Sequence, residues 1–273
     1  MPEKDKNYLK MKQLLLKICI LVIPGIGLYS QELPVKPSDN WTKSIHLESG
    51  FIYPSGTIKE SIAIRQNISS YFVNQSSTGQ ISSENSGFIL GLRWEYFNKQ
   101  YKSGISTGLR YTGYSSQISG FSASNADFFY LRYSMLNSDT KFARVKNIKE
   151  TNNLIGIPLE FRIVPVQNKY FELFARGGTE LSMFNLKKGT HIQFQDSNMD
   201  GSEGVILNNI GLSTNKFYSI LYASLGLIIG NENKAKYLFE VFLPSLFLTK
   251  NNFTLADVDH FEGFKFSVQF PLH

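Results

Sequence analysis

Runs of about ten residues that alternate between apolar and polar side chains constrain the fold more than any other feature of this chain. In the clearest run, residues 88–96, every second residue is Phe, Leu, Trp or Tyr. Comparable runs occupy residues 155–163, 171–176 and 264–270. Alternation over this length predicts β-strands whose two faces meet different environments. No run of 18 apolar residues follows residue 44, so the sequence predicts no membrane-spanning helix there.

Eight strands are predicted in all. Their expected ranges are 45–54, 87–97, 103–114, 154–163, 170–181, 218–230, 237–248 and 263–270. The connections between them alternate in length. Residues 98–102, 164–169 and 231–236 form tight polar turns, whereas four long connections cover 55–86, 115–153, 182–217 and 249–262.

An antiparallel meander places successive connections at opposite ends, so all the short turns share one end. Short turns at one end and long loops at the other are typical of outer-membrane barrels. The predicted fold is therefore an all-β, antiparallel, up-and-down transmembrane β-barrel of eight strands, with short periplasmic turns and long extracellular loops. Residues 128–135 and 141–149 form a further predicted hairpin. It either extends strands beyond the membrane or raises the strand count to ten.

The polar faces of these strands carry charges of both signs. An eight-stranded barrel has an interior only wide enough for side chains to fill. The six acids and five bases on these faces therefore predict a structural salt-bridge network in the lumen, and a proton or ion path remains the alternative. The predicted network consists of Glu48, Arg93, Glu95, Arg110, Glu160, Arg162, Glu172, Arg176, Glu180, Glu240 and Lys265.

Composition supports a lipid-facing outer surface. Only 18% of the residues are charged, against about 25% in a typical soluble domain, and 14% are aromatic. A single cysteine excludes a disulfide scaffold and a Cys-rich metal site. The aromatic residues suggest two interfacial belts. One belt comprises Trp94, Tyr96, Tyr101, Tyr170 and Tyr237 at the short-turn end, and the other comprises Tyr53, Tyr111, Tyr114 and Tyr218 at the long-loop end.

The N-terminus has the features of a secretory signal peptide. A basic segment ending at Lys17 precedes eleven uncharged residues, 18–28, which are too few to span a bilayer as a helix. We expect residues 1–30 to be the signal, with Met11 as the start, residues 31–44 to be a linker, and residues 45–273 to be the barrel. Removing residues 1–30 lowers the net charge from +6 to +3, so the basicity is poor support for nucleic-acid binding.

Two segments carry a family resemblance: Gly156-Ile157-Pro158-Leu159-Glu160, which opens a strand after a long loop, and the closing strand from Phe264 to Phe270. With them the chain resembles the small outer-membrane β-barrel families of diderm bacteria. It is most similar to the outer-membrane-protein β-barrel domain family that includes the PorT-type secretion-associated proteins. The resemblance implies an integral protein of the cell outer membrane, in contact with its lipid and inserted by the barrel-assembly machinery, which reads the C-terminal strand. This chain departs from the usual signal because Pro271-Leu272-His273 follow Phe270.

Other motifs point weakly to chemistry. Asp196, Asn198 and Asp200 match the first half of a calcium loop, but position 12 is Leu207 instead of Glu. Residues 104–108 spell GxSxG, but strand sequence follows where a hydrolase elbow needs a helix. We therefore expect no catalytic activity, no cofactor and no metal, and a structural or partner-binding role in the envelope. A lipid-modifying barrel enzyme and a secreted calycin-like barrel are the alternatives.

Overall fold

The computed structural model describes residues 40–58, 64–65, 80–121, 128–134, 140–168, 170–199, 201–210, 215, 217–231, 234–249 and 256–272. The predicted signal peptide, residues 1–30, lies outside these ranges, and so does the predicted linker except for its last five residues. The described residues contain ten strands and one α-helix. No helix among these residues is long and apolar enough to cross a membrane. The elements are β1 (Trp41–Ile58), β2 (Ile64–Arg65), β3 (Gln80–Asn98), β4 (Ser103–Phe121), β5 (Phe129–Ser134), β6 (Thr140–Gln167), β7 (Phe171–Phe194), α1 (Glu203–Ile210), β8 (Tyr218–Ile229), β9 (Lys236–Phe247) and β10 (Ala256–Leu272).

Eight of the strands found in the described ranges close into a ring. Their order is β1-β3-β4-β6-β7-β8-β9-β10, every neighbouring pair is antiparallel, and β10 returns to β1. The closing pair runs from Lys43 opposite Leu272 to Ile58 opposite Ala256. The predicted antiparallel up-and-down barrel is therefore confirmed, and its ring has eight strands. The short turns also lie where they were expected, after β3, β6 and β8.

Several strands are much longer than predicted at the long-loop end. β6 begins at Thr140 instead of 154, and β7 ends at Phe194 instead of 181. The predicted hairpin forms from β5 and the start of β6, with β2 added on its far side. β2 and β5 lie outside the ring, so the hairpin lengthens the sheet and does not raise the strand count of the barrel. We call the part of the sheet built from β2, β5, residues 140–150 of β6 and residues 189–194 of β7 the extension.

The extension has an apolar core of its own. Ile118, Phe129, Leu131, Ala143, Val145, Ile148, Ile192, Phe194 and Ile206 are buried there. Ile206 comes from α1, and Met199 and Leu207 on either side of it also pack against this core. A single sheet cannot bury one face alone, and α1 supplies part of the second layer.

A bulge in β6 connects the two regions. Between residues 148 and 164 every even-numbered residue of β6 is buried, whereas before the bulge the buried residues of this strand are the odd-numbered Ala143 and Val145. The pairing with β7 shifts between Val145 and Asn147, which lie opposite Phe194 and Gln193. One extra residue in a strand exchanges its two faces, so this bulge keeps apolar side chains in the extension core.

Candidate functional site

The barrel interior is divided into three layers. Near the short turns, Val164, Phe174, Ile228 and Leu238 are buried together and Phe97 packs against them. Toward the long loops a larger apolar layer is built around Tyr114, Tyr218, Tyr222, Phe247 and Phe261, among others. Charged side chains fill the space between, and we call them the charged layer. A water-filled path through the barrel would have to cross both apolar layers.

Glu160 on β6 is the centre of the charged layer. Its carboxylate accepts hydrogen bonds from Arg93 Nη1 and Arg110 Nη2, both at 2.7 Å. Arg176 Nε lies 3.5 Å from it and Lys265 Nζ lies 3.7 Å from it. Four cations from four different strands therefore surround one fully buried carboxylate.

Glu48 on β1 contacts three of the same cations, and Lys265 Nζ lies 3.3 Å from it. Arg93 Nη1 donates to it at 2.9 Å and Arg110 Nε donates at 2.8 Å. Arg110 also donates to Glu180 at 2.9 Å, so its planar guanidinium joins three carboxylates. Arginine suits this position because its five donors have fixed directions and it stays charged when buried.

Two smaller groups complete the layer. Arg162 Nε lies 2.9 Å from Glu95, and the same carboxylate is 2.9 Å from His46 Nε2. On the opposite wall Arg176 Nη1 is bonded to Glu240, which also lies 3.4 Å from Lys265 Nζ.

Aromatic rings border the guanidinium groups. The Arg162 group lies 4.8 Å from the ring centroid of Phe97, and that of Arg176 lies 5.0 Å from Phe174. These rings belong to the apolar layer near the short turns, so cation–π contacts join that layer to the charged layer.

One predicted member lies apart from the rest. Glu172 is near the short turns, where it accepts a hydrogen bond from Lys236 Nζ at 2.7 Å. The structure brings the other ten predicted residues together. Without Glu172, the charged layer contains five carboxylates and five cations, so its formal charge is zero apart from His46. Because buried charge is tolerated only when it is paired, this balance accounts for the composition of the layer.

Sequence reasoning missed several uncharged members. Tyr222 on β8 donates to Glu160 at 2.5 Å and accepts from Arg110 Nη1 at 2.9 Å. His46 lies between Glu95 and Arg93, with its Nδ1 3.1 Å from Arg93 Nη2. Ser106 and Ser224 donate to Glu160 and Glu240. All four residues alternate with outward apolar residues, so strand parity was the signal that could have found them.

Glycines make room for the carboxylates. A Cβ atom at Gly91 would lie 2.5 Å from Glu48 Oε1, and one at Gly156 would meet Glu180 Oε1. Both glycines face the interior, where the side chains of neighbouring strands must pass them. The network therefore depends on the absence of a side chain at these two positions.

The two predicted aromatic belts differ in outcome. Trp94, Tyr96, Tyr101, Tyr170 and Tyr237 are exposed on the outer surface at the short-turn end. At the long-loop end Tyr53 is exposed, but Tyr114 and Tyr218 are buried inside the barrel. Their assignment to an outer belt was wrong because both have the parity of the inward face.

The predicted calcium loop is only partly within the described residues. Asp196 is half exposed and lies 4.0 Å from Arg144 Nη1. Asn198 is exposed in a short 3₁₀ turn, Ser197–Met199, and Asp200 lies outside the described residues. In the described part of the chain, no three His, Cys, Asp or Glu side chains are grouped so that they could hold a metal ion.

The GxSxG segment lies within β4. Ser106 is buried and its hydroxyl donates to Glu160 at 3.1 Å, and β4 continues on both sides of it. The strand–turn–helix geometry of a nucleophile elbow is therefore absent at this position.

No protein-family model matches the chain, and no curated protein is found to be similar to it. Solved structures with a similar chain path include the outer membrane protein OprG from Pseudomonas aeruginosa, at 14% identity and a TM-score of 0.39 over 84% of this chain and 96% of that one. The outer membrane protein W of Escherichia coli matches at 13% identity and a TM-score of 0.33, over 83% of this chain and 98% of that one. The transport unit of the Escherichia coli autotransporter AIDA-I matches at 7% identity and a TM-score of 0.27, over 88% and 94%.

Proposed function

We propose that this protein is an integral outer-membrane β-barrel that does not conduct, and that it acts by binding a partner through its extension. The observation that carries the proposal is the polarity of the barrel wall. Ten ionised side chains are enclosed in the barrel, while large apolar side chains cover its outside. Leu47 is 53% exposed and Val241 is 59% exposed, and similar residues lie on every strand of the ring.

Lipid is the solvent that suits this outer face. A contiguous apolar band around a whole barrel far exceeds the patch that a soluble monomer exposes. Closure of the ring also leaves no strand edge unpaired at this level, which a hydrocarbon environment requires. A secreted calycin-like barrel needs the opposite arrangement, with an apolar interior that receives a ligand.

The extension is the part suited to contact a partner. Its outer surface carries a cluster of cations beside one aromatic ring, because Arg144, Lys146 and Lys149 on β6 are exposed there together with Phe142. We place the extension outside the cell and the short turns in the periplasm, in line with the loop lengths of outer-membrane barrels. The family resemblance suggests a secretion-associated role of the PorT type, and the barrel-assembly machinery as the inserting partner.

Membrane fractionation tests the first part of the proposal. We expect the protein to stay with outer membranes after washing with carbonate and urea, and to migrate faster on detergent gels before heating than after. Protease added to intact cells should cleave within residues 115–153. A protein that is released by washing and runs identically before and after heating would contradict the proposal.

Three further measurements address the role. Purified protein in planar bilayers should give no single-channel currents, because two apolar layers close the lumen. Photocrosslinkers at Lys146 and Lys149 should capture a discrete envelope protein, whereas the same crosslinkers at Leu90 and Leu159 should capture lipid. Turnover in a lipid-hydrolysis assay that disappears on substitution of a Ser or His would favour the lipid-modifying enzyme instead.

A further inference from the structure

The outer surface at the short-turn end combines exposed aromatic rings with lysines. Trp41, Tyr96, Tyr101, Tyr170 and Tyr237 are exposed there, and Tyr170 reaches 73% exposure. Lys43, Lys99, Lys102 and Lys234 lie within three residues of one of these rings and are also exposed. We call these nine residues the lysine–aromatic rim.

The charged residues of the rim and its turns are mostly positive. Lys236 is neutralised by Glu172, and the remaining charges of the turns and of the start of β1 are five lysines and one glutamate. The glutamate, Glu232, and one of the lysines, Lys169, lie outside the described residues. The long-loop end differs because its exposed charges have both signs: Glu84 and Glu262 are exposed there, and Lys149 lies in register with Glu84 through Gln117.

Local geometry keeps the lysines beside the rings. Lys43 lies opposite Tyr96 in the strand register, and its Nζ is 5.9 Å from the centre of that ring. Lys102 has a φ of 49°, a left-handed conformation that glycine or asparagine adopts more readily. The tight turn thus holds a lysine where backbone energetics favour other residues.

We propose that the lysine–aromatic rim binds anionic phospholipid headgroups and so enriches them around this end of the barrel. Tyrosine and tryptophan rings settle at the level of the glycerol and headgroup region. Lysine ammonium groups extend on flexible stems from that level to the phosphates. An anionic headgroup gains from these cations, whereas a zwitterionic headgroup offers no net charge to them. This inference rests on the proposed function, because it requires the barrel to lie in a bilayer.

The chain contains tryptophans near the rim whose fluorescence can report on the surrounding lipid. Its only two tryptophans are Trp41 and Trp94, and both are exposed near the short turns. Their fluorescence is quenched by lipids with brominated acyl chains in direct contact. Quenching in vesicles that contain either brominated phosphatidylglycerol or brominated phosphatidylcholine at the same mole fraction therefore measures which lipid surrounds the rim.

For the wild-type full chain we expect phosphatidylglycerol to be preferred with a relative association constant of about five, the factor that one surface lysine supplies. In about 1 M salt the preference should fall toward one, because the Debye length shrinks to about 3 Å. A triple variant of the rim, Lys43→Gln, Lys102→Gln and Lys234→Gln, should lose most of the preference.

The matched control removes equal charge from the extension, by Arg144→Gln, Lys146→Gln and Lys149→Gln, and should keep the preference. A wild-type constant near one, a preference that survives in the rim variant, or an equal loss in the control would each overturn the inference. Heat-modifiable migration of the same samples separates the two proposals. A protein that inserts without lipid preference overturns only the rim, whereas one that fails to insert overturns both.

Discussion

The two halves of β6 bury opposite kinds of side chain, although they belong to one continuous strand. From Leu154 to Arg162 the charged residues point inward, and Ile157 and Leu159 are exposed. From Ala143 to Ile148 the apolar residues point inward, and Arg144 and Lys146 are exposed. A bulge after Val145 and a change of residue type separate the two patterns. The extension therefore has the apolar interior of a water-soluble protein, while the ring has a charged layer inside and an apolar outer face.

This contrast teaches that alternation alone reports two environments and does not say which of them lies inside. In the ring, closure and the small diameter decide the matter, because only paired charges fit inside and, under the proposed function, lipid accepts the apolar outer face. In the extension, water takes the place of lipid and the hydrophobic effect again favours an apolar interior. Substitutions at matched positions of the two regions should separate these rules.

The largest difference is expected for Glu160→Gln. The substitution leaves four cations around a group that no longer carries charge, and breaking a buried ion pair in this way costs about 3–5 kcal/mol of unfolding free energy. Glu203→Gln on α1, beside the extension, removes a partner of the exposed His191, 2.8 Å away, and should cost less than about 1 kcal/mol. Urea titration of the folded barrel in lipid vesicles measures both. Similar costs would mean that the charged layer is hydrated.

A cation on the outer wall should come next. Leu90→Arg places a charge in the apolar band and should cost about 2–4 kcal/mol if this band lies near the bilayer midplane. Glu84 lies on the same face of β3, six residues closer to the long loops. Glu84→Lys should change stability little, since that level meets water. The folded fraction on detergent gels compares the two, and tolerance of Leu90→Arg would argue against lipid contact at β3.

Crowding inside the ring should have a smaller effect. Gly91→Ala directs a methyl group at the Glu48 carboxylate, and overpacking of this kind costs about 1–3 kcal/mol. At Gly177 the nearest atom to an added Cβ would be Tyr222 O, 3.9 Å away, so Gly177→Ala should be close to neutral. Thermal unfolding of the two variants provides the comparison. An equal shift in midpoint would show that the charged layer adapts to the extra volume.

The smallest difference in stability is expected between substitutions of two isoleucines in β6. Ile148→Val removes one buried methylene group from the extension core and should cost about 0.5–1.5 kcal/mol. Ile157→Val removes the same group from the exposed outer band, where lipid fills the space, and should cost almost nothing. Pulse proteolysis of the extension and urea titration of the ring measure the two changes. A larger cost at Ile157 would indicate that protein covers this face.

Much of the ring could be predicted from sequence because its strands alternate cleanly. Within each strand, the charged residues of the layer alternate with large apolar residues, so the two kinds lie on opposite faces. Short polar turns mark one end of the barrel. Tyr222 was not predicted as a member of the charged layer, because tyrosine occurs on both the inner and the outer face of a barrel. Tyr114 and Tyr218 were assigned to the outer face for the same reason.

The extension was predicted only in part: the hairpin of residues 128–135 and 141–149 was expected, but the continuous β6 that joins it to the ring was not. Residues 149–153 read Lys-Glu-Thr-Asn-Asn, a polar stretch that is typical of a loop, yet all five lie in β6. Pairing with β4 and β7 on both sides supplies the hydrogen bonds that make a strand of this segment. Such non-local pairing leaves no local signal, and the bulge after Val145 interrupts the alternation as well.

The pairing of β1 with β10 has a consequence for how the chain acquires its structure. Residues on the two sides of this seam are about 200 positions apart, so the ring can close only after the last strand has been synthesised. Until then β1 and β9 each carry an unpaired edge that lipid cannot solvate. Contacts of such long sequence separation also slow folding, because the chain must lose the entropy of a large loop before they form. Closure of this seam is therefore the step that completes the ring and removes its last two unpaired strand edges.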